Sequence, residues 1–183
     1  MLLVVLILLN GAFAMSEIAL VTARRARLAR FAEEGDGGAA VAVTLHDNPT
    51  RFLSTVQIGI TSIGVLSGIV GQAVFAAPLA ARLTGLGLDG EISEILAIVV
   101  VVVTITYFSI VIGELVPKRL GQSNPEVVAR LVARPMQALA VVTRPFVFFL
   151  SFSTDAILRL LGIDKHEAPG VTEEALHEML EEG

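Results

Sequence analysis

Residues 95–118 read ILAIVVVVVTITYFSIVIGELVPK. Nineteen of them, Ile95 to Gly113, pass without a charge. As an α-helix they measure about 28 Å at a rise of about 1.5 Å per residue, close to the bilayer hydrocarbon core of about 30 Å. The five consecutive valines, 99–103, have strand propensity. In lipid, however, only helices and closed barrels satisfy the backbone, so the segment reads as a spanning helix. Glu114 closes it. A carboxylate at a membrane edge must face water, a partner or a cation, and such residues mark functional sites by default.

Two further segments share this character. Met1 to Ala23 is apolar except for Asn10, Ser16, Glu17 and Thr22, and its basic residues follow it: Arg24, Arg25, Arg27 and Arg30. A signal peptide carries its basic residues first, so a membrane span is the better reading. Phe52 to Ala81 contains no Asp, Glu, Lys, Arg or His over thirty residues, more than the roughly 20 needed to cross. It is rich in Gly, Ser and Thr, the small residues that let helix backbones approach in lipid, and Pro78 is expected to end or kink it. The spans are therefore placed at about 1–23, 52–81 and 95–114.

The rest is punctuated. Glu33 to Gly38 (EEGDGG) is a flexible break, and Ala39 to Pro49 is a short mixed segment at the membrane surface. Pro49 suits a first helical turn. Arg82 to Glu94 and Leu115 to Arg134 read as polar loops. Asn124-Pro125-Glu126 reads as a helix start, with Asn at the N-cap, Pro at N1 and an acid in the first turn. Residues 135–162 are apolar but broken by Arg144, Asp155 and Arg159, leaving uncharged stretches of nine and ten residues. Neither crosses a bilayer, so a re-entrant or interfacial helical hairpin is expected on the cytoplasmic side, with its phenylalanines at the membrane interface or against a partner helix. Residues 163–183 form an acidic linker, in which Thr172 and the two glutamates after it start a helix.

Basic residues orient the chain. Five arginines lie between Arg24 and Arg51, one between Arg82 and Glu94, and one lysine with three arginines between Leu115 and Arg134. The first and third loops are thus cytoplasmic, the N-terminus outside and the C-terminus inside. The fold class is an all-α membrane protein of three transmembrane helices with a juxtamembrane hairpin.

Composition narrows function. The chain is 54% hydrophobic against about 45–50% for a soluble domain, and the excess is concentrated in blocks. It has no cysteine, which excludes disulfides, zinc-thiolate sites and a cysteine nucleophile. Net charge is −5, and there is no basic stripe of the kind that marks a nucleic-acid interface. No nucleophile–base motif occurs, so the chain is not expected to be an enzyme.

A hard-cation site in a membrane needs a carboxylate, neutral oxygens and freed main-chain carbonyls. Glu114 and Glu17 supply charge. Asn10, Ser16, Thr61, Ser62 and Ser109 supply neutral oxygens. Pro117 lacks the N–H that would bond the carbonyl four residues back, which places an unpaired Gly113 carbonyl beside Glu114. Plainer readings stand next to these. Glu114 can pair with Lys118 one turn on, Glu17 can belong to the cytoplasmic edge, and hydroxyls in membrane helices commonly bond back to their own helix.

The stretches Asn10 to Leu20 (NGAFAMSEIAL), Gly113 to Lys118 (GELVPK) and Val171 to Glu174 (VTEE) resemble the transmembrane (DUF21) domain of the CNNM/CorC family of magnesium transporters. The resemblance implies a homodimer in the plasma or inner membrane that exports magnesium by alternating access, coupled to sodium entry. It implies a pair of nucleotide-binding CBS domains after this segment, which the chain does not include, so nucleotide regulation is expected to be absent from it. By motif, Glu114 is the acidic residue of the ion site and Gly113 offers its carbonyl. Ser16 and Ser62 are the hydroxyl ligands, with Thr61 or Gly64 as alternatives to Ser62. Asn10 is a ligand or lines the outer path. The competing expectation is a membrane-embedded ion sensor or partner-binding module that transports nothing.

Overall fold

The computed structural model describes residues 1–161. The linker 163–183, its Thr172 helix start and the far end of the expected hairpin lie outside the described residues. All elements among the described residues are helical: α1 (Leu2–Thr22), α2 (Arg25–Glu33), α3 (Gly37–His46), α4 (Pro49–Gly85), α5 (Gly90–Ile110), a π-turn (Val111–Leu115), α6 (Val116–Ser123), α7 (Pro125–Val142) and α8 (Arg144–Leu160). Three stretches are long and apolar enough to cross a membrane, Leu2–Thr22, Phe52–Gly85 and Gly90–Ser123.

The first span falls where its composition places it, and the other two run longer. Pro78 sits inside α4 without ending it, because unwinding in lipid would expose backbone groups that nothing there can satisfy. The expected outer loop shrinks to Leu86–Asp89, with Asp89 accepting from the Glu91 N–H at 3.0 Å to start α5. The third span does not stop at Glu114. It passes through the π-turn into α6 and ends at Ser123.

The polar loop expected over 115–134 is helical as well, broken at Asn124. Its charges hide a helical period. In α7 the buried residues are Ala129, Ala133, Met136 and Ala140, spacings of four, three and four that make one narrow face. Asn124 does hold the N-cap position before Pro125, but its side chain donates to Ser123 Oγ at 3.5 Å and leaves the helix uncapped. The hairpin expected to begin at 135 begins instead in mid-helix, since Pro135 lies inside α7 and the chain breaks at Thr143.

Residues 1–144 form one compact unit. Its core joins α1, α2, α3, α4 and α7 through Phe13, Leu20, Leu28, Leu45, Val56 and Met136. The EEGDGG break is a turn with Gly35 at φ 94°, a conformation that favours glycine. Asp36 then caps α3, its Oδ1 accepting from the N–H groups of Gly38 and Ala39 at 2.7 and 3.0 Å. Arg130 of α7 donates Nε to the other carboxylate oxygen at 2.6 Å and lies over the Phe31 ring at 4.3 Å. That contact clamps the short helices to α7. In the second unit, which begins at Pro145, α8 carries Phe146, Phe148, Phe149 and Phe152 exposed.

Candidate cation site

The site is built where α1 crosses the break in the third span. A π-turn widens a helix by one residue and is enriched at functional positions. Here it spans Val111–Leu115 and contains both Gly113 and Glu114. Pro117 follows in the first turn of α6 and has no N–H to return to Gly113. Its ring lies against α1, where a Cβ on Gly11 would come within 2.9 Å of it.

Pro117 cannot donate to the Gly113 carbonyl, and that carbonyl finds a partner on another helix. Asn10 Nδ2 of α1 donates to it at 3.0 Å in a buried contact. Gly113 must be small for this approach, because a Cβ there would stand 3.2 Å from the Ile7 carbonyl oxygen and 3.3 Å from Asn10 Nδ2. Asn10 is itself buried at 7% exposure, and its Oδ1 has no partner among the described residues. A buried amide oxygen without a donor is costly, and an oxygen of that kind is what a hard cation takes. Ser109 stands one turn before Gly113, and its buried Oγ is also unpartnered.

Seven residues after Asn10, on the same face of α1, is Glu17. Lys118 Nζ stands 2.8 Å from Glu114 Oε1 and 3.4 Å from Glu17 Oε2. One ammonium therefore joins carboxylates from two helices. All three side chains are partly exposed, between 23% and 37%, so the pair faces a wet edge of the site.

Of the expected ligands, Asn10 meets Gly113 directly, and Glu114 is the next residue of the π-turn, its carboxylate on Lys118. Ser16 is fully buried on α1, with its Oγ donating to the Ala12 carbonyl at 2.6 Å. A hydroxyl that donates still has lone pairs to offer. Ser62 lies on an exposed stretch of α4 beside Thr61, and among the described residues no hydrogen bond ties it to the other four. On α4 it is Thr55 and Ser67 that are buried. Glu17, by sequence a candidate either for the site's charge or for the cytoplasmic edge, and Lys118, by sequence the plain partner of Glu114, meet here in one cluster. The i, i+7 spacing of Asn10 and Glu17 and the i, i+4 spacing of Glu114 and Lys118 are the signals that mark them.

No group of three or more Asp, Glu, His or Cys side chains converges among the described residues. The site is thus two carboxylates with neutral oxygens. The apolar cavity between α1, α4 and α5, lined by Leu3, Phe75, Val100 and Phe108 with Arg82 at its border, offers a cation no carboxylate.

Comparison with known proteins agrees with this architecture. A family model for the cyclin M transmembrane N-terminal domain (CNNM) matches residues 1–183. The UPF0053 protein sll0260 of Synechocystis is 48% identical over 179 residues, covering 98% of this chain and 40% of the relative. The polyamine export protein of Escherichia coli is 31% identical over 178 residues, covering 97% of this chain and 40% of its own length. The UPF0053 protein YugS of Bacillus subtilis is 29% identical over 181 residues, covering 97% and 42%. The chain spans about two fifths of the length of these relatives.

Proposed function

The chain belongs to the cyclin M transmembrane domain family, and from that premise we propose that it is the ion-conducting part of a cation exporter. The cargo is magnesium, moved outward by alternating access with sodium entering in exchange. The role is transport and not catalysis. The domain works in the plasma or inner membrane as a homodimer surrounded by lipid, with its N-terminus outside, its C-terminus inside and CBS domains following in the longer protein.

One observation carries this reading: the buried Asn10 amide donates an N–H to the π-turn carbonyl of Gly113, the residue before Glu114, while its oxygen has no partner among the described residues. A divalent ion needs charge and several oxygens to replace its water, and magnesium sheds water reluctantly. Glu114 and Glu17 supply the charge. Asn10 Oδ1, Ser16, the Gly113 carbonyl and Ser62, on a rearrangement of α4, supply the neutral oxygens. Sodium competes for the same carboxylates, which is a physical route to exchange.

The test is flux. Protein reconstituted in liposomes should move magnesium only when a sodium gradient opposes it, and Glu114→Gln should abolish the movement. Flux that survives Glu114→Gln overturns the reading, and Glu114-dependent binding without any flux supports an ion sensor. A second reading has its own observation. The carboxylate pair already holds an ammonium, that of Lys118, and a relative is named a polyamine export protein. Spermidine moved by the same vesicles in place of magnesium would favour an amine cargo.

A further inference from the structure

Lys118 is one of two lysines in the chain, with Lys165. It sits on the third span one turn beyond Glu114, and it bridges Glu114 to Glu17 on α1. A structural ion pair needs one carboxylate. This lysine takes two, one from α1 and one from the π-turn, elements that also meet where Asn10 Nδ2 donates to the Gly113 carbonyl. Resting on the reading that Glu114 receives the cargo, we propose that Lys118 is a tethered cation: its ammonium occupies the Glu17–Glu114 pair when cargo is absent and must leave when cargo binds.

Electrostatics makes the two states exclusive. A cation seated at Glu114 would stand within a few ångströms of the ammonium, and like charges at such a separation repel. Lys118 is partly exposed, so its flexible stem can carry the ammonium to water at small cost. The exchange keeps a cation on the carboxylates throughout, leaving one net negative charge with the lysine in place rather than a bare pair at the membrane edge. It also makes an empty carrier stable with its carboxylates shielded, and lets cargo and lysine compete for one position.

The test uses the wild-type chain in nanodiscs and an amine-acylating reagent, with the modified positions read by peptide mass spectrometry. Lys165 serves as the internal reference. With no cargo, Lys118 should label slowly. Glu114→Gln should speed its labelling about threefold, the factor that an ordinary partly exposed ion pair supplies. Saturating magnesium or spermidine should raise the wild-type Lys118-to-Lys165 labelling ratio to the same level, a ratio that cancels the reagent consumed by the amines of spermidine. Labelling of Lys118 that stays constant or slows under both cations overturns the proposal.

The two readings fail separately. Acceleration by spermidine but not magnesium keeps the tethered cation and removes magnesium as cargo. If magnesium stabilises the protein against heat in a Glu114-dependent way while Lys118 labelling does not move, magnesium binding stands and the tethered cation falls.

Discussion

At Gly113 a side chain has nowhere to go, since the Ile7 carbonyl oxygen and Asn10 Nδ2 close the space. Gly113→Val should therefore push α1 away from the π-turn, and the loss should read as a lower melting temperature together with weaker cation binding. Asn10→Leu tests the other half of the contact. It leaves the Gly113 carbonyl buried without its donor, which costs about 1–3 kcal/mol and should appear in denaturant or thermal unfolding. Part of this was legible in sequence. The i−4 rule for proline singled out the Gly113 carbonyl, which Asn10 meets, and the membrane-edge argument singled out Glu114, which lies in the π-turn. The partner that takes the carbonyl was not legible, because Asn10 lies 103 residues away and one sequence holds no signal that pairs them. The hydroxyl ligands were the weakest inference for a similar reason. A serine in a membrane helix looks the same whether it bonds back, as Ser16 does, or faces outward, as Ser62 does.

Among elements, the π-turn is the one that composition could not reveal, since it differs from an α-turn by a single hydrogen-bond register. Pro117→Ala restores an N–H where the Gly113 carbonyl can receive it. That should favour α-helical register over the π-turn, rotate Glu114 relative to Glu17 and weaken cation affinity, as measured by magnesium-dependent thermal stabilisation. Unchanged affinity would show that Pro117 does not maintain the turn. The α3–α7 clamp responds to acid. The Ala39 N–H first, and then the Arg130 guanidinium, hold the Asp36 carboxyl below the ordinary aspartate range. A carboxylate whose folded value is depressed contributes stability above its unfolded pKa of about 3.9, and that stability is lost as pH falls through the lower folded value. Melting should thus be insensitive to this group near neutral pH and fall in acid, and Asp36→Asn should lower stability at neutral pH and flatten the acid branch. Asn124-Pro125-Glu126 marks the start of α7 in the sequence, but α6 and the body of α7 are not legible there, because charges averaged over a window resemble a loop, whereas Ala129, Ala133, Met136 and Ala140 taken by position make a stripe.

For the whole molecule, three apolar stretches of sufficient length sufficed to establish the membrane class, and that much was legible from block composition alone. Orientation rests on arginine counts and is open to direct test. Because the chain has no cysteine, single substitutions report without background. Leu88→Cys, in the turn between α4 and α5, should react with a membrane-impermeant thiol reagent added outside intact cells. Glu33→Cys, at the end of α2, should react only after the membrane is opened. The reverse pattern would invert the topology and with it the side from which the carboxylates are reached.

The central claim is that the π-turn and α1 together hold a cation. The most direct measurement is anomalous scattering from crystals grown with manganese, an oxygen-preferring stand-in for magnesium. A peak should lie within metal–oxygen distance of the Glu114 carboxylate, about 2.0–2.6 Å, and be absent from Glu114→Gln. A peak elsewhere in the chain, or one at this position that survives Glu114→Gln, would contradict the claim.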